Sequence, residues 1–302
     1  MIVRVGTRGS ALALAQAGLV TARLAHLGLQ SEIVTIRTPG DRHPRQPTVA
    51  LGVGAFVKDL EIALRDGRID LAVHSAKDLP STGSDGLVLA AFLEREDPRD
   101  VLVTRDRSGL DALPAGAVVG TDSPRRRAFL LAARRDLTVT GMRGNVDTRL
   151  RKLAAGTVDA LVLAAAGLAR LGLADRAAER LAPSVMLPAV GQGAVVVQTC
   201  VDAVDLGQRL RRIDHVPTRV AVEAERAFLA ALGGGCQRPI AALGTCADDR
   251  LSLDGAVLDP AGTQVIRAKI DGPCDDAEGM GRTLAARLLA LGAERLLFEV
   301  AS

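Results

Sequence analysis

The sequence alternates strand-like and helix-like segments, and this alternation limits the possible folds more than any other feature. "MIVRVGT" alternates apolar and polar residues, "ALALAQAGLVTARLAHL" has the helical period, and "SEIVTIRT" and "IDLAVHSA" are further strands. The same order returns after the charged, proline-containing segment "EREDPRD" at 94–100, with "AVVGTDS" as strand and "PRRRAFLLAARR" as helix. Such units build mostly parallel α/β sheets, which bind ligands at the carboxyl ends of their strands.

The pattern changes after about residue 216, where a helix is followed by two strands joined by the turn "DPAG" and by a last helix. We therefore predict two α/β domains and a small C-terminal α+β domain. Domain 1 is predicted to be discontinuous, with residues 1–93 and 194–212. Domain 2 is predicted to span 99–187 and domain 3 to span 216–302.

Composition excludes several classes of function. The net charge is only +3 in 302 residues and aromatic residues make up 2%, so no nucleic-acid-binding surface is indicated. The N-terminus lacks a signal-peptide pattern and no apolar run is long enough to span a membrane, so we expect a soluble, cytoplasmic protein. The four cysteines form no C-x-x-C pair, so we expect reduced thiols and no metal site.

Arginines are placed at the start of a predicted helix in "GTDSPRRR". Ser123 suits the N-cap and Pro124 the first helical position, which puts Arg125 and Arg126 in the first turn. Cations there oppose the helix dipole unless an anionic ligand compensates, since free backbone N–H groups would bind the same anion.

Two other turns repeat this arrangement. Arg143 and Arg149 flank the turn in "MRGNVDTRL", and Arg8 precedes the first helix in "GTRGS", where Ser10 suits the N-cap. Three arginine-bearing turns at one edge of α/β sheets predict a small ligand with several carboxylates or phosphates. The alternative is that an arginine-rich chain places arginine at many positions without function.

The segment "HSAKDLP" puts polar residues at the end of a buried strand. A serine hydrolase is disfavoured because no nucleophile elbow surrounds Ser75. Asp78 either caps a turn before Pro80 or acts as an acid/base carboxylate in a partly buried cleft. His74 is more typical of a hydrogen-bonded strand-end histidine than of a catalyst.

A cysteine, Cys236, follows three glycines in "LGGGCQRPIAALG". It comes after a helix C-terminus, where the dipole would raise the pKa of a thiol, and neither a histidine nor a second cysteine is near in sequence. It is therefore either structural or an attachment point for a strongly electrophilic group, which would not require a low thiol pKa. The glycines would let a bulky group approach the backbone.

Together these motifs resemble the porphobilinogen deaminase, or hydroxymethylbilane synthase, family over essentially the whole chain. The similar segments are "VGTRGSALALAQ", "AVHSAKDLP", "LEREDPRD", "GTDSPRR", "RGNVDTRL", "LAAAGLARLGL", "LPAVGQGA" and "AERAFLAALGGGCQRPIA". The resemblance implies two type II periplasmic-binding-protein-like domains and a small α+β domain bearing the cysteine. It also implies a monomer without nucleic-acid or membrane partners.

The resemblance further implies a transferase that condenses four porphobilinogen molecules head to tail with loss of ammonia and then releases the tetrapyrrole by hydrolysis. Cys236 would carry a dipyrromethane cofactor as a thioether, and Asp78 would assist deamination and stabilise the azafulvene cation. The residues implied to bind the cofactor are Lys77, Ser123, Arg125, Arg126 and Arg143. The residues implied to bind the substrate and growing chain are Arg8, Ser10, Arg149 and Arg170.

The sequence departs from the family pattern at several positions. Val49 and Val53 stand where lysines are expected, and Gln198 where a glutamate is usual. Asp122, Asp147 and Arg238 are further departures, and each changes the charge near predicted ligands. Two alternatives to an active enzyme are therefore a degenerate paralogue that binds pyrrole carboxylates without full turnover, and a non-catalytic module that binds a small anion.

Overall fold

A computed structural model describes residues 2–37, 57–234 and 238–298. The chain divides into two compact units. Unit 1 contains Met1–Glu96 and Ala194–Arg219, and unit 2 contains Asp97–Gly193 and Val220–Ser302.

The strands of the described residues are β1 (Val3–Thr7), β2 (Ser31–Thr35), β3 (Leu71–Ser75), β4 (Leu87–Phe92), β5 (Asp100–Thr104), β6 (Val118–Gly120), β7 (Thr138–Thr140), β8 (Ala160–Ala164), β9 (Glu179–Arg180), β10 (Val195–Cys200), β11 (Ile240–Ala247), β12 (Arg250–Leu258) and β13 (Val265–Pro273). The α-helices there are α1 (Ala11–His26), α2 (Lys58–Arg65), α3 (Pro124–Ala133), α4 (Val146–Ala154), α5 (Ala165–Arg170), α6 (Val204–Leu210), α7 (Val216–Ala231), α8 (Ala277–Ala290) and α9 (Ala293–Phe298).

Unit 1 is built on a five-stranded sheet in the order β2-β1-β3-β10-β4. β1, β2 and β3 are parallel, and β10 runs antiparallel to its two neighbours. Helix α1 buries Ala17, Val20 and Leu24 in the same core as Val3 and Val5 of β1, because these apolar residues recur on one helix face. The parallel strands bring the residues after β1 and β3 to one edge of the sheet.

The first sheet of unit 2 has the same arrangement, in the order β7-β6-β8-β5-β9. β6, β7 and β8 are parallel, whereas β5 runs antiparallel to β8 and β9. Helix α3 packs on this sheet through Ala128, Phe129 and Leu130. The predicted fold class of two mostly parallel α/β sheets is therefore confirmed.

The C-terminal region of unit 2 is an antiparallel sheet, β11-β12-β13, packed against α8. It is the α+β element predicted from the sequence. Ala241, Ala256 and Leu258 of this sheet share a core with Phe129 and Leu130 of α3, so the region is continuous with the second α/β sheet. The three-domain division with its boundaries stays a prediction.

The expectation that all cysteines are reduced is wrong for one pair. A disulfide joins Cys246, at the end of β11, to Cys274, directly after β13. The two residues lie 28 positions apart, and only the pairing of both strands with β12 brings them together. Cys200 is a free cysteine.

Candidate active site

In unit 1 a pocket opens at the carboxyl ends of β1 and β3. Arg8 and Ser10 follow β1, and Asp78 ends the short 3-10 turn Ala76–Asp78 that follows β3; all three line the pocket. Ser10 is the N-cap of α1, where its hydroxyl accepts a hydrogen bond from the Ala13 N–H at 3.3 Å, as predicted. The pocket therefore brings a cation, a hydroxyl and a carboxylate to one sheet edge.

The Asp78 side chain is exposed, so the expected partly buried setting is wrong. The strand ends at Ser75, and the 3-10 turn carries the carboxylate past the edge of the sheet. Lys77 of the same turn is half-buried. An exposed carboxylate needs no buried counter-ion and is accessible to a ligand in the pocket.

Behind the pocket, His74 belongs to a buried chain of polar side chains. His74 Nε2 lies 3.0 Å from Gln198 Oε1, and Gln198 Nε2 donates to Glu61 Oε1 at 3.2 Å. Burial lowers the pKa of His74 to about 4, although Gln198, Glu61 and Asp78 partly oppose the shift. His74 is therefore neutral near pH 7 and hydrogen-bonded, as the sequence predicted.

In unit 2 the start of α3 has the predicted local structure, but its two arginines bind a carboxylate of the protein, which was not predicted. Ser123 is the N-cap, Pro124 begins the helix, and the Ser123 hydroxyl accepts from Arg126 N–H at 3.4 Å. Arg125 and Arg126 are only 4% and 7% exposed, and both bind Asp100 of β5. The two cations thus already have an anion inside the protein.

The Asp100 carboxylate is fully buried and accepts hydrogen bonds from three side chains. They come from Arg125 Nη2 at 2.7 Å, Arg126 Nε at 3.0 Å and Gln192 Nε2 at 3.0 Å. Burial by itself would raise the pKa of Asp100, but the charges of the two arginines outweigh it and lower the pKa to about 2. Two cations and one anion leave an excess positive charge in this cluster.

The remaining hydrogen bonds of the two guanidinium groups show where a further anion could bind. Arg125 Nη1 donates to Leu187 O at 2.6 Å and Arg126 Nη1 to Val162 O at 2.9 Å. Arg125 Nε is buried and has no hydrogen-bond partner among the described residues. A buried donor without a partner is costly, so the cluster fits an additional negatively charged group.

The next turn of unit 2 carries a second group of charges. Arg143 Nε lies 3.0 Å from Asp122 Oδ2, and Arg149 Nε donates to Gly144 O at 2.8 Å. Burial, followed by the charge of Arg126 and then that of Arg143, lowers the pKa of Arg149 to about 10, while Asp122 opposes the shift. This region therefore lacks enough negative charge to balance its arginines.

Comparison with known sequences identifies the family. The profile "Porphobilinogen deaminase, dipyromethane cofactor binding domain" matches residues 3–207, which is more than half of the chain. The chain belongs to the porphobilinogen deaminase family. A second profile, "Porphobilinogen deaminase, C-terminal domain", matches residues 220–290.

Individual porphobilinogen deaminases are similar over nearly the full length. The protein of Desulforudis audaxviator is 50% identical, with 99% of this chain and 97% of that protein aligned. The protein of Acidothermus cellulolyticus is 48% identical, over 98% of this chain and 91% of that protein. A periplasmic substrate-binding protein of an ABC transporter from Coxiella burnetii is similar at 19% identity, covering 70% of this chain and 90% of that one, with a TM-score of 0.44.

These matches confirm the predicted family, the transferase class in tetrapyrrole biosynthesis and the presence of a dipyrromethane cofactor-binding domain. The residues predicted to act in this porphobilinogen deaminase fall into two groups. Unit 1 holds Arg8, Ser10, Lys77 and Asp78, and unit 2 holds Ser123, Arg125, Arg126, Arg143, Arg149 and Arg170. Their roles as ligands stay predictions.

Arg170, at the end of α5, contacts the segment that returns the chain to unit 1. Its Nη2 donates to Gly193 O at 2.5 Å. Three predicted positions, Cys236, Val49 and Val53, lie outside the described residues. Within the described part of the chain, no helix combines the length and apolar character that a membrane span needs.

Sequence reasoning missed the internal partners of the site. Asp100 and Gln192 were not singled out, although an aspartate beginning the apolar strand "DVLVT" is a signal for a buried ion pair. Glu61 was missed as well, because its place in an amphipathic helix is also typical of a surface residue. Only the fold shows that it faces Gln198.

Proposed function

We propose that this chain is a catalytically active porphobilinogen deaminase. It joins four porphobilinogen molecules head to tail, releases one ammonia for each, and releases the linear tetrapyrrole hydroxymethylbilane by hydrolysis. The observation that carries the proposal is the exposed Asp78 carboxylate, which shares a pocket with Arg8 and Ser10 at the carboxyl ends of β1 and β3. Family membership supports the same reaction.

Asp78 is proposed as the catalytic carboxylate. Loss of ammonia from porphobilinogen breaks a C–N bond and leaves a positively charged pyrrole, which a nearby anion stabilises. The free α-carbon of the neighbouring pyrrole attacks this cation, which forms the new C–C bond, and then loses its proton, for which the same carboxylate can act as base. Arg8 and Ser10 would bind substrate carboxylates and hold the reacting carbon near Asp78.

The arginines of unit 2 are proposed to bind the carboxylates of the cofactor and growing chain. Every pyrrole ring carries two carboxylates, and a charge-assisted hydrogen bond contributes about 1.5–3 kcal/mol. Arg149 supports this role because burial first, and then the positive charges of Arg126 and Arg143, lower its pKa, so its charged form lacks stabilising anions. A bound carboxylate would supply such an anion.

Cys236 is proposed to hold the dipyrromethane through a thioether. When bound, this group would supply the nucleophilic free α-carbon to which the deaminated first substrate is joined. Lys77, Ser123, Arg125, Arg126 and Arg143 would hold its carboxylates, and the partnerless Arg125 Nε is consistent with such a ligand. We further propose that the enzyme acts as a monomer in the cytoplasm, with porphobilinogen as its small-molecule substrate.

The proposal is tested by the intact mass of the purified chain. The wild-type protein is expected to carry the added mass of two linked pyrrole units, and Cys236→Ser is expected to lack it. Cys200→Ser is the matched control, since Cys200 is a free cysteine of β10, and this variant should retain the added mass. An unmodified wild-type chain from cells that make tetrapyrroles would refute the proposal.

A further inference from the structure

The carboxylate of Asp122 forms an ion pair with Arg143, one of the predicted cofactor ligands. Its Oδ2 lies 3.0 Å from Arg143 Nε, and the two side chains are 29% and 30% exposed. Its other oxygen, Oδ1, lies beside Gly141, since a Cβ atom added at that glycine would be 3.0 Å from it. Asp122, in the turn after β6, therefore contacts the turn after β7.

The surroundings of Asp122 are cationic. Burial is the largest cause of the lowered pKa of Arg149; the charges of Arg126 and Arg143 lower it further and that of Asp122 opposes them, so these four groups lie near one another. The same oxygen atoms that neutralise Arg143 are chemically equivalent to those of an acetate or propionate group. A ligand carboxylate that binds Arg143 through Nε must first displace Asp122.

We propose that Asp122 is an internal competitor that sets how strongly Arg143 holds a carboxylate of the cofactor. This inference rests on the proposed function, because it concerns the ligand of that site. Asp122 weakens the interaction of Arg143 with each incoming carboxylate and raises the porphobilinogen concentration needed to load the cofactor. Asp122 thus sets the affinity for the cofactor carboxylate and takes no part in bond making.

The loss of one negative charge could change loading of the cofactor without any competition at Arg143, so the test needs a control for charge. Asp147 provides the matched control, because it lies in the first turn of α4, is exposed and carries the same charge. It forms no ion pair with another residue that the structure describes. Removing either carboxylate changes the net charge equally, but only Asp122→Asn removes the carboxylate that is paired with Arg143.

The experiment loads the cofactor-free full-length chain with porphobilinogen and follows the added mass by intact mass spectrometry. For Asp122→Asn we expect the half-saturating porphobilinogen concentration to fall by a factor of about two to five, the range of a partly exposed ion pair. Asp147→Asn should equal the wild type. In an Arg143→Gln background, Asp122→Asn should have no further effect.

The outcomes separate the two proposals. Normal loading of the wild type with an unchanged or higher half-saturating concentration for Asp122→Asn overturns the competition and leaves the proposed function intact. An equal decrease in Asp147→Asn also overturns it, because the effect would then be general. If the wild type and every variant fail to gain mass, the proposed function and this inference fall together.

Discussion

The pocket of unit 1 and the arginine cluster of unit 2 differ in how far their charged side chains are exposed to solvent. Asp78 is exposed at the pocket of unit 1, whereas Arg125 and Arg126 are buried in unit 2 around the carboxylate of Asp100. An exposed group reacts with what arrives from solvent, but a buried cation needs an internal anion to be tolerated. The difference agrees with the proposed roles, in which unit 1 supplies the reacting carboxylate and unit 2 a preorganised cluster of cations.

The largest effect on stability is expected from removing the internal anion of unit 2. Asp100→Asn leaves two buried guanidinium groups without their counter-ion and should lower the free energy of unfolding by about 3–5 kcal/mol. Urea denaturation measures this change. Asp136→Asn is the control, because Asp136 also pairs with an arginine, Arg134 at 2.6 Å, but lies at the surface.

The control variant should unfold close to the wild-type midpoint, since exposed ion pairs contribute little. A loss below about 1 kcal/mol for Asp100→Asn would contradict the contrast between the two regions. It would mean that water or relaxation compensates the buried arginines.

A smaller effect is expected from the buried histidine of unit 1. The folded pKa of His74 is about 4, below the usual 6.5, so the unfolded chain binds a proton more readily between these values. Unfolding free energy therefore decreases as pH falls, by about 2 kcal/mol from pH 7 to 5. The contribution of Asp100 is lost only at lower pH, as pH falls from its usual range towards 2.

Urea denaturation of the wild type and of His74→Gln at several pH values measures how much His74 contributes to the pH dependence of the free energy of unfolding. The variant should lose most of the decrease between pH 7 and 5, whereas His26→Gln, at an exposed position of α1, should behave like the wild type. Parallel curves for His74→Gln and wild type would show that His74 does not titrate as its burial requires.

Local sequence signals predicted the framework of both regions. The N-caps Ser10 and Ser123, and Pro124 at the first turn of α3, could be read directly because capping depends on residues close in sequence. The order of strands and helices that forms the two parallel sheets was predictable for the same reason. These signals also placed Arg8, Asp78, Arg125 and Arg126 at strand-to-helix turns.

The partners of those residues could not be predicted, because they depend on contacts between distant segments. Asp100 lies 25 and 26 residues from the two arginines it binds, and Gln198 lies 137 residues from Glu61. Strand β11 was missed for another reason. Its sequence "IAALGTCA" is rich in alanine and glycine, which have low strand propensity, and it forms by pairing with β12.

The central claim is that Asp78 reacts while the arginines bind, and the turnover number of Asp78→Asn tests it most directly. We expect kcat to fall by at least about 100-fold, the lower limit for loss of acid/base catalysis. The unfolding midpoint should not change, because the side chain is exposed. Asp85→Asn, another exposed carboxylate of unit 1, should keep full turnover. A kcat for Asp78→Asn within about threefold of the wild type would contradict the account.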